Sequence, residues 1–405
     1  MQRARRAGSE ILVTLTVDLP ADVDPSAVVC ASRRTGEAWF VFEQPERRRT
    51  ALAALGEVAC LTGSGPERFA SVADSWRALG ATAVSDRPER PGSGGPVAVG
   101  GFAFAATGGS TPPWKGFEPA SLVVPEVLLS REERGEPRVR LTVSALAAPD
   151  DVSAELLAGI EGRLGELREA PLPLLDPAPT GRHEVVSAMP PEHYEGAVAR
   201  AVELIRASEL QKIVLAREVQ VHAPRPYDPA ALLGVLREEF AACNVFCVGR
   251  GDATLLAASP ELLVRREGHR VSTLALAGST RRSADPAVDD HLGEGLLRSK
   301  KDREEQAIVI RRIERTLRPA SLWITASPEP VLVRVANIQH LGTPIRAQLA
   351  RPLDVIELLE SMHPTPAVGG EPIERARPLI PALEGLDRGW YAGPVGWVDA
   401  TGDGE

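Results

Sequence analysis

The apolar stretch Ile11–Leu19 is interrupted by the polar Thr14, Thr16 and Asp18, a pattern that predicts a strand. Val97 to Thr107 and Leu122 to Leu128 also read as strands. Asp151 to Arg168 has a helical period, carried by Val152, Leu156, Leu157, Ile160 and Leu164. Pro191 at a first-turn position opens a helix to about Ser208, with Tyr194, Val198, Ala201, Val202 and Ile205 on one face. A strand is expected from Lys212 to Val221, and Asp228-Pro229 caps a helix reaching about Ala242. Further strands are predicted at Val245–Val248, Thr254–Ala258, Leu262–Arg266 and Val271–Leu276. A long helix is expected over Asp302 to Leu317, with Ile308, Val309, Ile313 and Leu317 buried. A strand near Val331–Val335, a helix at Leu353–Ser361 and a last strand at Tyr391–Val398 complete the series. Strands in hairpin order mixed with helices predict an α+β layered sandwich, not a wheel of parallel βαβ units.

Two stretches divide this pattern. Asp86 to Pro96 is rich in Pro and Gly and reads as a surface loop, and Pro171 to Thr180 reads as an extended connector. The second suggests a β-rich N-terminal half over 1–180 and a catalytic region over 181–405. At the far end, Asp399 to Gly404 reads as a hairpin turn with an Asp-Gly step.

Composition narrows the class. The 405 residues carry 46 basic and 55 acidic side chains, a net charge of −9 that disfavours nucleic acid or an anionic membrane as partner. No apolar run is long enough to span a bilayer. The basic start, Met1 to Arg6, is followed by a strand pattern and not by a signal sequence's apolar region, so a cytoplasmic protein is expected. Four cysteines make no disulfide framework. Cys243 and Cys247 lack companion ligands and read as buried thiols along a strand. The histidines are scattered, with no His-x-x-x-His pair for zinc.

What remains is a set of polar residues inside apolar segments. Lys212 opens Lys-Ile-Val-Leu-Ala, and Glu261 sits in Ser259-Pro260-Glu261-Leu262-Leu263. Gly278 and Ser279 close Leu274-Ala275-Leu276-Ala277, Glu305 lies early in the long helix, and His340 and Thr343 belong to Gln339-His340-Leu341-Gly342-Thr343. His363-Pro364-Thr365-Pro366-Ala367-Val368-Gly369-Gly370 and Asp387-Arg388-Gly389-Trp390-Tyr391-Ala392-Gly393 follow. Singly, each has a structural explanation: a lysine flanking a strand is solvated, and early helical glutamates serve the helix dipole.

In this order and spacing the motifs resemble the chorismate-utilising enzymes: isochorismate synthase, salicylate synthase, and the large subunits of anthranilate and aminodeoxychorismate synthase. The resemblance is close from about Glu192 onward and weaker before it, through Gly100-Gly101-Phe102-Ala103-Phe104. It implies large, mostly antiparallel sheets flanked by helices, chorismate as the small-molecule substrate, and Mg²⁺ as cofactor. It also implies a cytoplasmic chain, expected to be a monomer, serving menaquinone or siderophore synthesis.

The resemblance further implies which nucleophile is used. Water-using members carry lysine at the position of Lys212, whereas ammonia-using members carry a small neutral residue. Lys212 is thus expected to be the base that activates water, and Glu261 the acid that protonates the leaving ring hydroxyl, converting chorismate to isochorismate. Salicylate synthase chemistry, which adds pyruvate elimination, remains the alternative, as does an inactive remnant of the family. For these roles Lys212 needs its pKa lowered by about 3 units and Glu261 needs its own raised by about 2. Glu305 resembles the first magnesium carboxylate; Gly278, Ser279, His340, Thr343 and Gly370 resemble substrate-binding positions. Two departures stand out. Gln306 occupies a place where histidine is usual, and the sequence stops at the Asp-Gly-Glu turn, where members continue through a return strand and a last helix. The expectation is therefore a C-terminally truncated chain without the second metal carboxylate.

Overall fold

A computed structural model describes residues 1–47, 50–86, 95–132, 138–176 and 181–405. Its largest sheet has eight strands, in the order Ala253–Ser259, Asn244–Arg250, Trp39–Gln44, Thr50–Leu55, Val127–Glu132, Arg138–Ala147, Ile11–Leu19 and Val84–Ser85. Only the last pairing is parallel. A second body of sheet has two parts. One pairs Arg265–Glu267 with Arg270–Arg281, then Ile338–Leu349, which also carries Ser321–Ala326 and Val331–Arg334. The other runs Val395–Asp399, Val97–Phe102, Ala120–Val124, Ala59–Gly63. The expected layered α+β architecture is the one observed. Strands on either side of residue 180 share the eight-stranded and the four-stranded sheets.

The two parts of the second body meet at the last turn. Gly404 bridges both Arg266 and Val398, and Glu405 exchanges backbone hydrogen bonds with Trp397 in both directions. Beneath this junction lies the main core, where Val309, Ile313 and Leu317 of the helix Lys300–Leu317 pack with Ala275, Ile345, Ala347 and Leu349 of the sheet and with Ile356 and Met362.

Several expected elements are shorter or divided. Pro125 and Glu126 break the 122–128 run into Ala120–Val124 and Val127–Glu132, since proline cannot donate to a ladder. The strand expected from Lys212 to Val221 exists only as Lys212–Ile213 and Val219–His222, which pair with different partners. Leu262 to Val264 lies outside the strand Arg265–Glu267, although the Leu262 carbonyl accepts from Leu274 N and Thr273 Oγ1. The final strand is Val395–Asp399, because Trp390 to Gly393 is taken up by turns. In the helix Pro191–Arg206 the buried face is Ala197, Ala201 and Leu204, while Val198, Val202 and Ile205 are partly exposed. The Asp86–Pro96 loop and the Pro171–Thr180 connector fall partly outside the described residues. Cys243 and Cys247 are buried free thiols, as expected.

Candidate active site

Two short strands and one helix assemble the central group. Lys212–Ile213 pairs antiparallel with Gly370–Glu371. Gly370 is needed for that approach: a Cβ there would fall 2.7 Å from the Lys212 carbonyl oxygen and 2.6 Å from Ala376 Cβ. Side chains of both strands of this ribbon reach the helix Lys300–Leu317, which begins two residues earlier than its sequence suggests because the Ser299 side chain caps it, accepting from Asp302 N. Lys212 is 8% exposed, so its charge requires a partner. Glu305 supplies one, with Nζ–Oε1 at 2.7 Å, and keeps a third of its own side chain open to solvent.

Glu261 lies near enough to Lys212 to feel its charge. It lines a cavity of about 360 Å³ together with Phe102, Leu262, Val355, His363 and Thr365. Burial in this largely apolar wall pushes its carboxyl up to about 7, while the Lys212 charge and the Thr365 hydroxyl pull weakly the other way. Thr365 Oγ1 lies 3.5 Å from Glu261 Oε1. The shift has the direction and at least the size that an acid at neutral pH requires. His363, which shares this wall, is held neutral: burial lowers its pKa to about 4, and its Nε2 donates to the Phe104 carbonyl at 3.0 Å.

The remaining expected residues gather around the first turns of the same helix. Gly278 sits at a register shift between Arg270–Arg281 and Ile338–Leu349, with φ +76°, a bulge conformation suited to glycine. The space its Cβ would need is filled by Asp302 Cβ at 2.9 Å. Beyond the bulge Ser279 is opposite His340, and Ser279 Oγ pairs with His340 Nδ1 at 2.8 Å. Burial lowers the His340 pKa, favouring the neutral ring. Thr343 is buried and receives a hydrogen bond from Gln306 Nε2 at 2.9 Å. Asp302, Glu305 and Gln306 thus touch Gly278, Lys212 and Thr343 in turn. Of the expected site residues only Glu261 lines the apolar cavity; Lys212, Gly278, Ser279, Glu305, His340, Thr343 and Gly370 lie outside its wall.

The Asp387–Gly393 motif has a structural explanation. The Asp387 carboxylate accepts from the backbone N–H groups of Gly109, Ser110 and Thr111. Arg388 forms a buried pair with Glu384, donates to the carbonyls of Val214 and Val368, and lies over the Phe104 ring. Trp390 is fully buried, with its indole N–H on the Glu118 carbonyl. These contacts brace the segment after Lys212 and the loop after His363. Two contacts lacked a warning in the sequence: the Thr365 hydroxyl at Glu261, and the arginines that meet Glu371. Thr365 lies in a quoted motif, but nothing local distinguishes it from a turn residue.

Among the described residues no group of three or more His, Cys, Asp or Glu side chains is placed to hold a metal ion. Glu305 offers one hard, partly exposed carboxylate. That suits Mg²⁺, which keeps waters and takes substrate oxygens with only one or two protein carboxylates.

The sequence profile described as "Chorismate binding enzyme" matches residues 1–405. Over 404 residues the chain is 36% identical to the salicylate biosynthesis isochorismate synthase of Pseudomonas aeruginosa, covering 100% of this chain and 82% of that protein. Among solved structures, a putative 2,3-dihydroxybenzoate-specific isochorismate synthase, DhbC, from Bacillus anthracis is 28% identical. Its TM-score is 0.69, with 93% of this chain and 85% of that one covered. The menaquinone-specific isochorismate synthase MenF from Escherichia coli shares the fold, with a TM-score of 0.78 at 23% identity, covering 97% of this chain and 84% of that one.

Proposed function

Since the chain belongs to the chorismate-binding enzyme family, we infer that it is an isochorismate synthase, an isomerase whose substrate is chorismate. The observation that carries the reading of the site is the opposed environment of two groups: an amine buried on a charged helix face, and a carboxyl raised to about 7 in an apolar wall nearby.

In this reading Lys212 takes a proton from water as the water oxygen bonds to the ring. The ring double bonds shift, the original C–O bond breaks, and Glu261 gives its proton to the departing hydroxyl, which leaves as water. One water is consumed and one released, so the net change is an isomerisation; proton return from Lys212 to Glu261 resets the site. Glu305 would hold Mg²⁺, which supplies charge for a substrate carboxylate and a fixed point for its orientation. Ser279 and His340 offer a neutral hydrogen-bonding pair, and Thr343, held by Gln306, an oriented hydroxyl. Gly278 and Gly370 set the backbone beside them.

The test is product analysis with chorismate and Mg²⁺ and no ammonia or glutamine. Isochorismate alone supports the reading. Salicylate with pyruvate would make the chain a salicylate synthase, and a requirement for ammonia would remove water as nucleophile.

A further inference from the structure

The base-bearing ribbon has only two residue pairs, Lys212 with Glu371 and Ile213 with Gly370. Hydrogen bonds from Gln211 N to the Glu371 carbonyl and from Val214 N to the Gly369 carbonyl extend it, and Arg388 ties its Val214 end, whereas toward the helix Lys300–Leu317 it is joined by side-chain ion pairs. Lys212 and Glu371 stand directly opposite each other, so their side chains leave the same face of the ribbon. Both reach the helix Lys300–Leu317, with opposite polarity. Lys212 meets Glu305 at 2.7 Å, while Glu371 meets Arg315 at 2.6 Å and Arg312 at 3.9 Å. Arg312 lies two turns beyond Glu305, on the same side of the helix. Glu371 is 6% exposed, and its Oε2 accepts no hydrogen bond from a described residue, so these arginines are its charge partners.

We propose that Glu371 is a positioning residue for Lys212: its ion pairs with Arg312 and Arg315 hold the ribbon at the one place along the helix where Lys212 meets Glu305. The alternating signs make the register specific. A ribbon shifted by one turn toward the helix C-terminus, about 5.4 Å, carries the Lys212 ammonium toward the arginines and away from its carboxylate. The Gly370 approach couples the strands closely enough for a displaced Glu371 to take Lys212 with it. Glu371 makes no contact with the reacting atoms in this account; it acts through Lys212. The proposal rests on the reading of Lys212 as the base.

The experiment uses the intact chain as wild type, Glu371→Gln, Arg315→Gln, and the reversed pair Glu371→Arg with Arg315→Glu. Two quantities are read: kcat and KM for chorismate, and the rate of Lys212 acetylation by peptide mass spectrometry. The exposed Lys115, Lys300 and Lys301 serve as internal references. In Glu371→Gln, kcat is expected to fall by about ten- to a hundredfold, the cost of a slightly misplaced group, with KM changed less than about twofold. Lys212 acetylation should rise several-fold. Arg315→Gln, at a largely exposed side chain, should move both readouts the same way, and the reversed pair should recover part of each. Wild-type values of both readouts in Glu371→Gln overturn the proposal. So does a lower melting temperature with Lys212 labelling unchanged, since Glu371 would then only stabilise the fold. If the wild type makes no isochorismate, the functional reading falls, and the labelling still decides whether Glu371 places Lys212.

Discussion

The Lys212 ammonium and the Glu305 carboxylate lie 2.7 Å apart, one on a two-residue strand and the other in the second turn of the helix Lys300–Leu317. Removing the lysine should separate chemistry from folding. Lys212→Ala is expected to lower isochorismate formation by at least about a hundredfold. Glu305 is a third exposed and can turn to water, so circular dichroism and the melting temperature should change little. Undiminished product in this variant would end the assignment of Lys212 as base.

The Glu261 acid predicts a pH limb. With its carboxyl raised to about 7, the proton it must donate is present below that pH and lost above it, so the alkaline side of the rate profile should fall through about 7. Glu261→Gln should abolish turnover. It should also raise the melting temperature at pH 8 by a few degrees, because the wild type must then ionise a carboxyl in an apolar wall. The raised folded value gives stability that is present below the unfolded value of 4.5 and lost as pH rises through 7, about 3 kcal/mol at most.

His363 runs the opposite way. Its folded value of about 4 lies below the ordinary 6.5, so the unfolded chain takes up the proton first and stability falls as pH drops from 6.5 to 4. Between 4.5 and 6.5 this opposes the contribution of Glu261, and of Asp399, whose buried carboxyl is likewise pushed up to about 6, so the wild-type slope should be smaller than either carboxyl alone would give. His363→Gln should expose the Glu261 slope, with the variant becoming more stable as pH falls through that window. Thermal melts at half-unit pH steps would reveal it, and parallel curves for the two proteins would contradict the assignment.

Gln306 is 2% exposed and donates to Thr343 at 2.9 Å. Gln306→Leu leaves the Thr343 hydroxyl without that donor and should cost about 1–3 kcal/mol in chemical denaturation. Gln306→His retains a ring N–H in the same place and is expected to keep most of the activity, measured as kcat.

Sequence patterning showed the strand Ile11–Leu19, the capped helix after Asp228 and the buried Val309, Ile313 and Leu317, since each is a local signal, but not which way the side chains face: Thr14 and Thr16 are buried while Leu15 and Val17 are exposed, and Ile308 is only half-buried. The buried face of Pro191–Arg206 differs from the expected one because side-chain bulk does not by itself decide burial. The surface that the helix meets, with Phe104, Ala376 and Ile380, takes Leu204, and the small Ala197 and Ala201 lie buried on that face, leaving Val198 and Val202 outward. The strand after Lys212 was overextended because an apolar run does not reveal that its partner, Gly370–Glu371, is only two residues long. The candidate site residues stand out in the sequence as a motif set, but their pairings do not. Lys212 with Glu305, Thr365 with Glu261 and Glu371 with Arg315 join segments far apart in the chain, and only the fold brings them together.

The origin of the oxygen atom tests the central claim most directly. Chorismate turned over in ¹⁸O-labelled water, with the product examined by mass spectrometry, should give isochorismate carrying one solvent oxygen at its new ring hydroxyl. Isochorismate formed without label would mean that the hydroxyl migrates within the substrate, which contradicts water activation by Lys212.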